Sequence, residues 1–135
     1  MKVVIYLDAN IFIYPNTGQG EKSNFSISLL MKVACGELEA GTYVLSWDEV
    51  QHALRKKVGK EQAIELSKSL LMMNNLLWFN ADASLLEKAQ SLTEEYNLLP
   101  RDAIHAATAI LNGCKEIVSD DKDFDVVKAL KRIAP

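Results

Sequence analysis

The sequence has little cysteine and proline and contains no long hydrophobic run. Its two cysteines, Cys35 and Cys114, have no Cys or His neighbour at metal-ligand spacing. We therefore predict reduced thiols in a cytoplasmic protein, and neither a disulfide scaffold nor a zinc site. The apolar stretch at residues 70–79 is interrupted by two asparagines and falls short of the ~18 apolar residues of a membrane span. The apolar run before Asp8 is too short for a signal peptide, so no membrane association is expected.

The sequence also lacks an excess of positive charge. Its 18 acidic residues outnumber its 15 basic residues, and the net charge is −3. This balance argues weakly against a large basic surface for nucleic acid. It does not exclude a nuclease, because clustered catalytic carboxylates lower the net charge and a bound metal reverses the local sign. The length of 135 residues predicts a single domain, residues 1–135.

Short β-branched runs alternate with amphipathic segments along the chain. This alternation predicts an α/β fold of three layers, with a parallel sheet covered by helices on both faces. Ser23 or Asn24 is expected to cap the first long helix, Ser46 or Asp48 the second, and Asp82 the helix that follows the third strand. The expected strands are residues 3–7, 43–45 (after a break at Gly41), 77–79, 116–118 and a fifth ending at 132–133, and the expected helices are residues 24–38, 46–58, 60–73, 82–96 and 101–112.

Acidic side chains follow three of these predicted strands. In open α/β sheets, ligands bind beyond the carboxyl ends of the strands. A further acid lies in the first turn of the alanine-rich helix, which begins at the same edge. The acids in question are Asp8 after the first strand, Asp48 and Glu49 after the second, Asp120, Asp121 and Asp123 after the fourth, and Asp102 in the helix.

These acids are expected to bind a divalent cation together. Like charges that are gathered without compensation raise one another's pKa and are costly to bury. All-oxygen ligands suit Mg²⁺ or Mn²⁺, and such ions stabilise the charge that develops in phosphoryl transfer. Each acid also has a purely structural explanation: Asp8 as a cap, Glu49 and Asp102 as first-turn helix acids, and residues 120–125 as a solvated turn.

Four segments resemble the acidic motifs of the PIN-domain family. Residues 5–10 (Ile-Tyr-Leu-Asp-Ala-Asn) resemble its opening strand, in which an acid and then an Asn two residues later follow an apolar run. Residues 45–50 (Leu-Ser-Trp-Asp-Glu-Val) look like its second motif. Residues 101–109 (Arg-Asp-Ala-Ile-His-Ala-Ala-Thr-Ala) are similar to the third, and residues 118–124 (Val-Ser-Asp-Asp-Lys-Asp-Phe) to the fourth.

The resemblance implies a five-stranded parallel sheet and a Mg²⁺- or Mn²⁺-dependent endoribonuclease. It further implies the VapC-type toxin of a toxin–antitoxin pair, usually homodimeric, that cuts RNA by in-line attack of a metal-bound hydroxide. Asp48 and Asp120 are adjacent alternatives to two of the implied ligands. By motif position, the metal and catalytic acids are Asp8, Glu49, Asp102 and Asp121, with Asp123 as an outer or second-metal acid and with Asn10 and Ser119 as supporting hydrogen-bonding residues.

Several other features allow more than one interpretation. Arg55 and Lys56 belong to a basic run that either binds backbone phosphates or forms a solvated helix end, and Arg101 pairs either with a phosphate or with the acids. Trp47 is suited to base stacking or to packing. Five apolar side chains are more than one apolar face of a helix usually needs, and they form either core or a surface for a dimer or antitoxin. They are Met31, Leu70, Leu71, Met72 and Met73.

Other metal-binding classes fit the sequence less well. Glu49-x-x-His52 and Asp102-x-x-His105 have the spacing of di-iron helix bundles, which would need a four-helix bundle. A phosphoacceptor receiver domain needs an adjacent acid pair after the first strand, and Asp8 is followed by Ala9. A calcium loop starting at Asp121 lacks its glycine and its closing acid. A catalytically silent PIN-like module that binds RNA or acts as a scaffold is the remaining alternative.

Overall fold

The computed structural model describes residues 4–18 and 20–135. The first half of the chain forms a strand, helices on either side of a short 3₁₀ segment, and a second strand followed by two helices. The bounds are β1 Val4–Leu7, α1 Ala9–Ile13, a 3₁₀ turn Tyr14–Asn16, α2 Glu21–Ala34, β2 Glu39–Tyr43, α3 Ser46–Val58 and α4 Lys60–Leu71. The predicted start of the first strand at Val3 lies outside the described residues.

The second half continues the alternation of strands and helices. Its elements are β3 Leu76–Phe79, α5 Ala83–Glu95, α6 Pro100–Leu111, β4 Glu116–Val118, a 3₁₀ turn Lys122–Val126 and β5 Lys131–Ile133. Asp82 caps α5 by accepting hydrogen bonds from the Ser84 and Leu85 amides, which confirms the predicted start of this helix.

All five strands are parallel and lie in the order β3-β2-β1-β4-β5. The predicted α/β fold with a five-stranded parallel sheet is therefore confirmed. The chain moves outward from β1 through β2 to β3 and then returns to β4 on the other side of β1. Because parallel crossovers are right-handed, this reversal places α1–α4 on one face of the sheet and α5–α6 on the other. It also creates a switch point between β1 and β4, where ligands bind in folds of this kind.

Two hydrophobic cores cover the two faces of the sheet. Adjacent residues of β1 alternate between them, since Tyr6 packs among side chains of α5 and α6 and Leu7 packs against the helices of the other face. The small side chains of α6, including Ala103, Ala106 and Ala107, are fully buried. They allow α6 to approach the sheet closely, which brings its first turn next to the ends of β1 and β4.

The predicted position of β2 was wrong. The prediction treated Gly41 as a break before a strand at residues 43–45, whereas β2 spans Glu39–Tyr43 and contains Gly41. A side chain at Gly41 would collide with the ring of Phe79 on the neighbouring strand. The glycine is therefore needed inside the strand so that the aromatic ring can pack over it. Val44 and Leu45 lie beyond the strand and are exposed.

Local differences also occur at the starts of helices. A short helix, α1, lies at residues 9–13, where no helix is predicted, and α2 runs from Glu21 to Ala34 instead of over residues 24–38. Gly20 precedes α2 without a side-chain cap, so neither Ser23 nor Asn24 caps this helix. Asp48 lies within the first turn of α3 and is not its cap. Within the described ranges 4–18 and 20–135, every helix is too short or too polar to cross a bilayer.

Candidate active site

Asp8 lies at the switch point, directly after β1 and beside the end of β4. Its backbone N–H donates to the carbonyl of Val118, which ties the two strand ends together. The side chain is almost fully buried, with 7% of the residue exposed. Its Oδ1 accepts the Ala9 N–H at 2.7 Å, and its Oδ2 accepts the hydroxyl of Ser119 at 2.6 Å and the amide of Asn10 at 3.3 Å. The supporting residues predicted from the sequence therefore contact the first predicted ligand.

Glu49 reaches the same place from the first turn of α3. Its Oε1 accepts the Tyr43 hydroxyl at 2.8 Å and lies 3.0 Å from Nε2 of His105. Burial of Glu49 favours its neutral form, but the bonds with His105 and Tyr43 outweigh burial and hold the pKa of this carboxyl below its usual range. Glu49 is thus held as a carboxylate at neutral pH.

His105 is a site residue for which the sequence suggests only the role of a di-iron ligand. It follows Asp102 by one helical turn on α6 and is 1% exposed. Its Nδ1 lies 2.6 Å from the Tyr6 hydroxyl, and its Nε2 faces Glu49 and, at 3.4 Å, Oδ1 of Asp8. Burial alone lowers the pKa of His105, but the Glu49 hydrogen bond and the neighbouring carboxylates raise it above its usual value. The sequence signal was a histidine among the small and apolar residues of this helix, one turn after Asp102.

A second group of carboxylates forms where α6 begins near the end of β4. One oxygen each from Asp102, Asp121 and Asp123 lies within 4.8 Å of the others. Burial, followed by a hydrogen bond with the Asp121 carboxyl and its charge, raises the pKa of Asp102 to about 7. Asp121 accepts the Asp123 amide N–H at 2.9 Å, and its own N–H donates to Ser119 Oγ at 3.0 Å. Ser119 Oγ therefore contacts the carboxylate of Asp8 and the backbone N–H of Asp121.

The neighbouring Asp120 has a different environment. Its Oδ2 accepts the Tyr14 hydroxyl at 2.5 Å and lies 2.7 Å from the Lys22 ammonium group. These two partners hold the pKa of Asp120 below its usual range. The contacts link the end of β4 to α2 and to the segment before it. The side chain of Asp121 lines the cleft between the two carboxylate groups, and that of Asp120 does not.

Members of both carboxylate groups line one open cleft of about 480 Å³. Arg101 is exposed at its edge, while Arg55 binds Gln51 on α3, and neither Arg55 nor Lys56 is among the described residues that line the cleft. Asp123 is exposed and lies outside this lining as well. The side chains that line the cleft include Asp8, Asn10, Asp48, Glu49, His52, Arg101, Asp102, His105 and Asp121.

The donor set of the cleft fits a hard divalent cation. Asp8, Glu49 and His105 form one group with a ligand atom each within 4.8 Å of the others, and the aspartates of the previous group form a second. Oδ1 of Asn10 is buried and has no hydrogen-bond partner in the described structure. A buried acceptor without a donor is costly, and a cation or its water satisfies it. The five-stranded sheet excludes the four-helix bundle that the di-iron hypothesis needs.

The chain belongs to the PIN domain family, whose family model matches residues 5–130. This match confirms the resemblance that the four acidic motifs indicate. No curated protein sequence matches the chain significantly.

Solved structures of toxin–antitoxin proteins share the fold. VapBC2 from Rickettsia felis, in complex with a promoter DNA fragment, is 18% identical over 98% of both chains with a TM-score of 0.77. VapC20 from Mycobacterium tuberculosis, a toxin that cleaves the sarcin–ricin loop, is 16% identical, covers 92% of this chain and 95% of its own, and has a TM-score of 0.74. VapBC from Salmonella typhimurium, bound to DNA, is 13% identical over 98% of both chains with a TM-score of 0.73.

Proposed function

We propose that the protein is an endoribonuclease that hydrolyses RNA phosphodiester bonds with Mg²⁺ or Mn²⁺. The observation that carries this proposal is the meeting of Asp8, Glu49, Asp102 and Asp121 along one cleft, although they come from four separate segments. Such a concentration of carboxylates around a buried acceptor is unfavourable without a cation. Membership of the PIN domain family supports the same chemistry.

The two carboxylate groups would hold the cations. Asp8 and Glu49 are the ligands of the first group, and Asp102, Asp121 and Asp123 those of the second. A divalent cation bound here supplies charge stabilisation to the phosphate and lowers the pKa of a coordinated water. Asn10 Oδ1 is available to accept a hydrogen bond from a water molecule in the cleft, because no other donor reaches it among the described residues.

The surrounding side chains keep the ligands in place. Ser119 and Asn10 bind the Oδ2 atom of Asp8, and Tyr43 binds Glu49. Arg101 is the cation at the edge of the cleft and is suited to bind an RNA phosphate beside the cut. We place Arg55 and Lys56 farther along α3 as a secondary contact with the RNA backbone, which would make affinity depend on salt.

We further propose that the nuclease is the toxin of a type II toxin–antitoxin pair and acts in the cytoplasm as a homodimer. Its fold is shared with VapBC proteins of three bacteria at nearly full length. Apolar side chains on α2 and at the end of α4 are more than half exposed and offer surface for a protein partner. They are Met31, Leu71 and Met72.

The decisive experiment measures RNA cleavage by wild-type protein with Mn²⁺ and with chelator, and by Asp8→Asn and Asp102→Asn. Glu94→Gln is the matched control, since it removes one exposed carboxylate of α5 that lies outside the cleft. We expect cleavage by wild type and control with Mn²⁺ only, and a loss of at least ~100-fold in both aspartate variants. Equal cleavage by all proteins would identify a contaminating nuclease. RNA binding without any cleavage would favour the catalytically silent module.

A further inference from the structure

We propose that His105 is a positioning residue: its Nε2–H donates a hydrogen bond to Glu49 and faces Asp8, and it thereby presents the free Glu49 oxygen, Oε2, to the cation. The imidazole is thus not itself a metal ligand, although its nitrogen lies close enough to the oxygens of Asp8 and Glu49 for the three residues to share one ion. This inference rests on the proposed function, since it assumes that Glu49 and Asp8 bind metal.

The first step concerns the proton on Nε2. This nitrogen lies 3.0 Å from Oε1 of Glu49 and 3.4 Å from Oδ1 of Asp8. Ionised carboxylate oxygens only accept hydrogen bonds. An unprotonated Nε2 would therefore direct its lone pair at two acceptors, which is repulsive. The geometry requires a proton on Nε2, and that proton occupies the position a metal ion would need in order to bind this nitrogen.

The second step concerns the other ring nitrogen. Nδ1 lies 2.6 Å from the Tyr6 hydroxyl. In a neutral imidazole, Nδ1 accepts from the tyrosine O–H; in a charged one, it donates to the tyrosine oxygen. Both arrangements leave a proton on Nε2. The inference therefore does not depend on the charge of His105.

The third step concerns the two oxygens of Glu49. Oε1 accepts from both the Tyr43 hydroxyl at 2.8 Å and His105 at 3.0 Å. These two hydrogen bonds use both lone pairs of Oε1. Among the described residues no donor binds Oε2. Glu49 is therefore prepared to bind a cation through Oε2 alone, with its carboxylate orientation set before the metal arrives.

The fourth step concerns the rigidity of the arrangement. The His105 ring packs edge-on against Tyr43, with ring centroids 4.5 Å apart, and against Tyr6 at 5.7 Å. It is 1% exposed, so water does not compete for its hydrogen bonds. Hydrogen-bonding partners of metal ligands typically change metal affinity or activity by about 10–100-fold when removed. We expect an effect of that size here.

A spectroscopic test locates the proton directly. Long-range ¹H–¹⁵N correlation spectra report the protonation of both ring nitrogens of each histidine, and His52→Gln assigns the two rings. We expect the His105 Nε2 proton to be present without metal and to remain when Mg²⁺ saturates the site. Loss of this proton on Mg²⁺ addition would show direct ligation and overturn the inference. If Mg²⁺ does not bind, the proposed function fails separately, and an unprotonated Nε2 in the metal-free protein would still overturn the inference.

Variants test the positioning role. We expect His105→Leu to lower Mn²⁺ affinity and kcat for RNA cleavage by about 10–100-fold, with KM for RNA changed less than about threefold. His105→Gln retains a side-chain N–H and should recover at least half of that loss on a logarithmic scale. Tyr6→Phe leaves Nδ1 of His105 without its partner, and we expect its Mn²⁺ affinity and kcat to lie between those of wild type and His105→Leu. Tyr96→Phe is the control, since it removes a tyrosine hydroxyl that lies far from the cleft. If His105→Leu folds and keeps wild-type Mn²⁺ affinity and kcat, the positioning role of His105 is overturned. If His105→Leu does not fold, a loss of Mn²⁺ affinity and kcat above ~100-fold in His105→Gln would overturn the role.

Discussion

The hydroxyl of Ser119 donates a 2.6 Å hydrogen bond to Oδ2 of Asp8, a residue 111 positions earlier in the sequence. The same oxygen of Ser119 accepts the N–H of Asp121. A single buried side chain at the end of β4 thus connects the Asp8 carboxylate at the end of β1 to the backbone of Asp121. This contact explains why a serine occupies the position directly after a buried strand.

We expect Ser119→Ala to destabilise the protein by about 1–3 kcal/mol, because Asp8 Oδ2 then loses its shortest hydrogen bond while remaining buried. Mn²⁺ affinity should fall as well, since Asp8 is no longer held in one orientation. Urea unfolding and metal titration measure the two effects. Ser84→Ala is a matched control, since its hydroxyl also donates to an aspartate at 2.6 Å but in an exposed position. If Ser84→Ala lowers the free energy of unfolding as much as Ser119→Ala does, burial of the Ser119–Asp8 hydrogen bond is not what makes it important.

The raised pKa of Asp102 predicts a pH-dependent stability. Its folded-state pKa of about 7 exceeds its ordinary value of 3.8, so the folded protein binds this proton more tightly than the unfolded chain. The favourable contribution of the protonated form is present at low pH and is lost as the pH rises through about 7. In metal-free protein, the Tm of Asp102→Asn minus that of wild type should therefore increase between about pH 5 and pH 8.

Scanning calorimetry at several pH values tests this dependence, with Glu94→Gln as the control that should show no trend. Saturating Mn²⁺ should raise the Tm of wild type more than that of Asp102→Asn, because the cation compensates the charge. A difference in Tm that stays constant with pH would show that Asp102 titrates normally.

Asp120→Asn and Asp121→Asn should separate structural from metal-binding acids. Asp121 lines the cleft, and we expect its substitution to lower cleavage by at least ~100-fold. Asp120→Asn should retain cleavage but lose up to about 1 kcal/mol of stability, since the Lys22 pair is partly exposed. The lowered pKa of Asp120 means that this stability is present at neutral pH and is lost as the pH falls below the ordinary aspartate value. Loss of cleavage in Asp120→Asn at full folding would reverse the assignment.

Gly41→Ala should destabilise the protein by about 1–3 kcal/mol, because the added methyl group collides with the Phe79 ring inside the sheet. Chemical denaturation measures the free energy of unfolding. Phe79→Leu is the matched background, since the smaller side chain leaves room for the methyl group. The cost of Gly41→Ala should shrink there by more than half, and an unchanged cost would show that backbone flexibility, not the ring, explains the glycine.

Predictions that rest on local chemistry agree well with the structure. The capping of α5 by Asp82 depends on residues within one turn, and the β4 strand 116–118 depends on its own apolar side chains. The end of α3 at Gly59 is equally local, since the positive φ of this residue disfavours a continued helix. The position of β2 depends on the packing of Gly41 against Phe79 of the neighbouring strand, and there the prediction failed.

The choice within the acid pairs also needed long-range information. The predicted capping role of Asp48 favours Glu49 as the ligand of this pair, but Asp48 does not cap the helix. Glu49 is distinguished by its contacts with Tyr43 and His105. Similarly, Asp120 is engaged by Tyr14 and Lys22, which no local pattern around residue 120 indicates.

The sequence alone determined the alternation of strands and helices and placed acids at the strand ends, because hydrophobic periodicity and turn residues act over a few neighbouring positions. Only the tertiary structure decided which carboxylates share the cleft, that His105 lies behind Glu49, and that Gly41 belongs inside a strand. These features depend on side chains brought together by the sheet order across tens of residues. Burial and hydrogen-bond geometry at such distances leave no local trace in the amino-acid pattern.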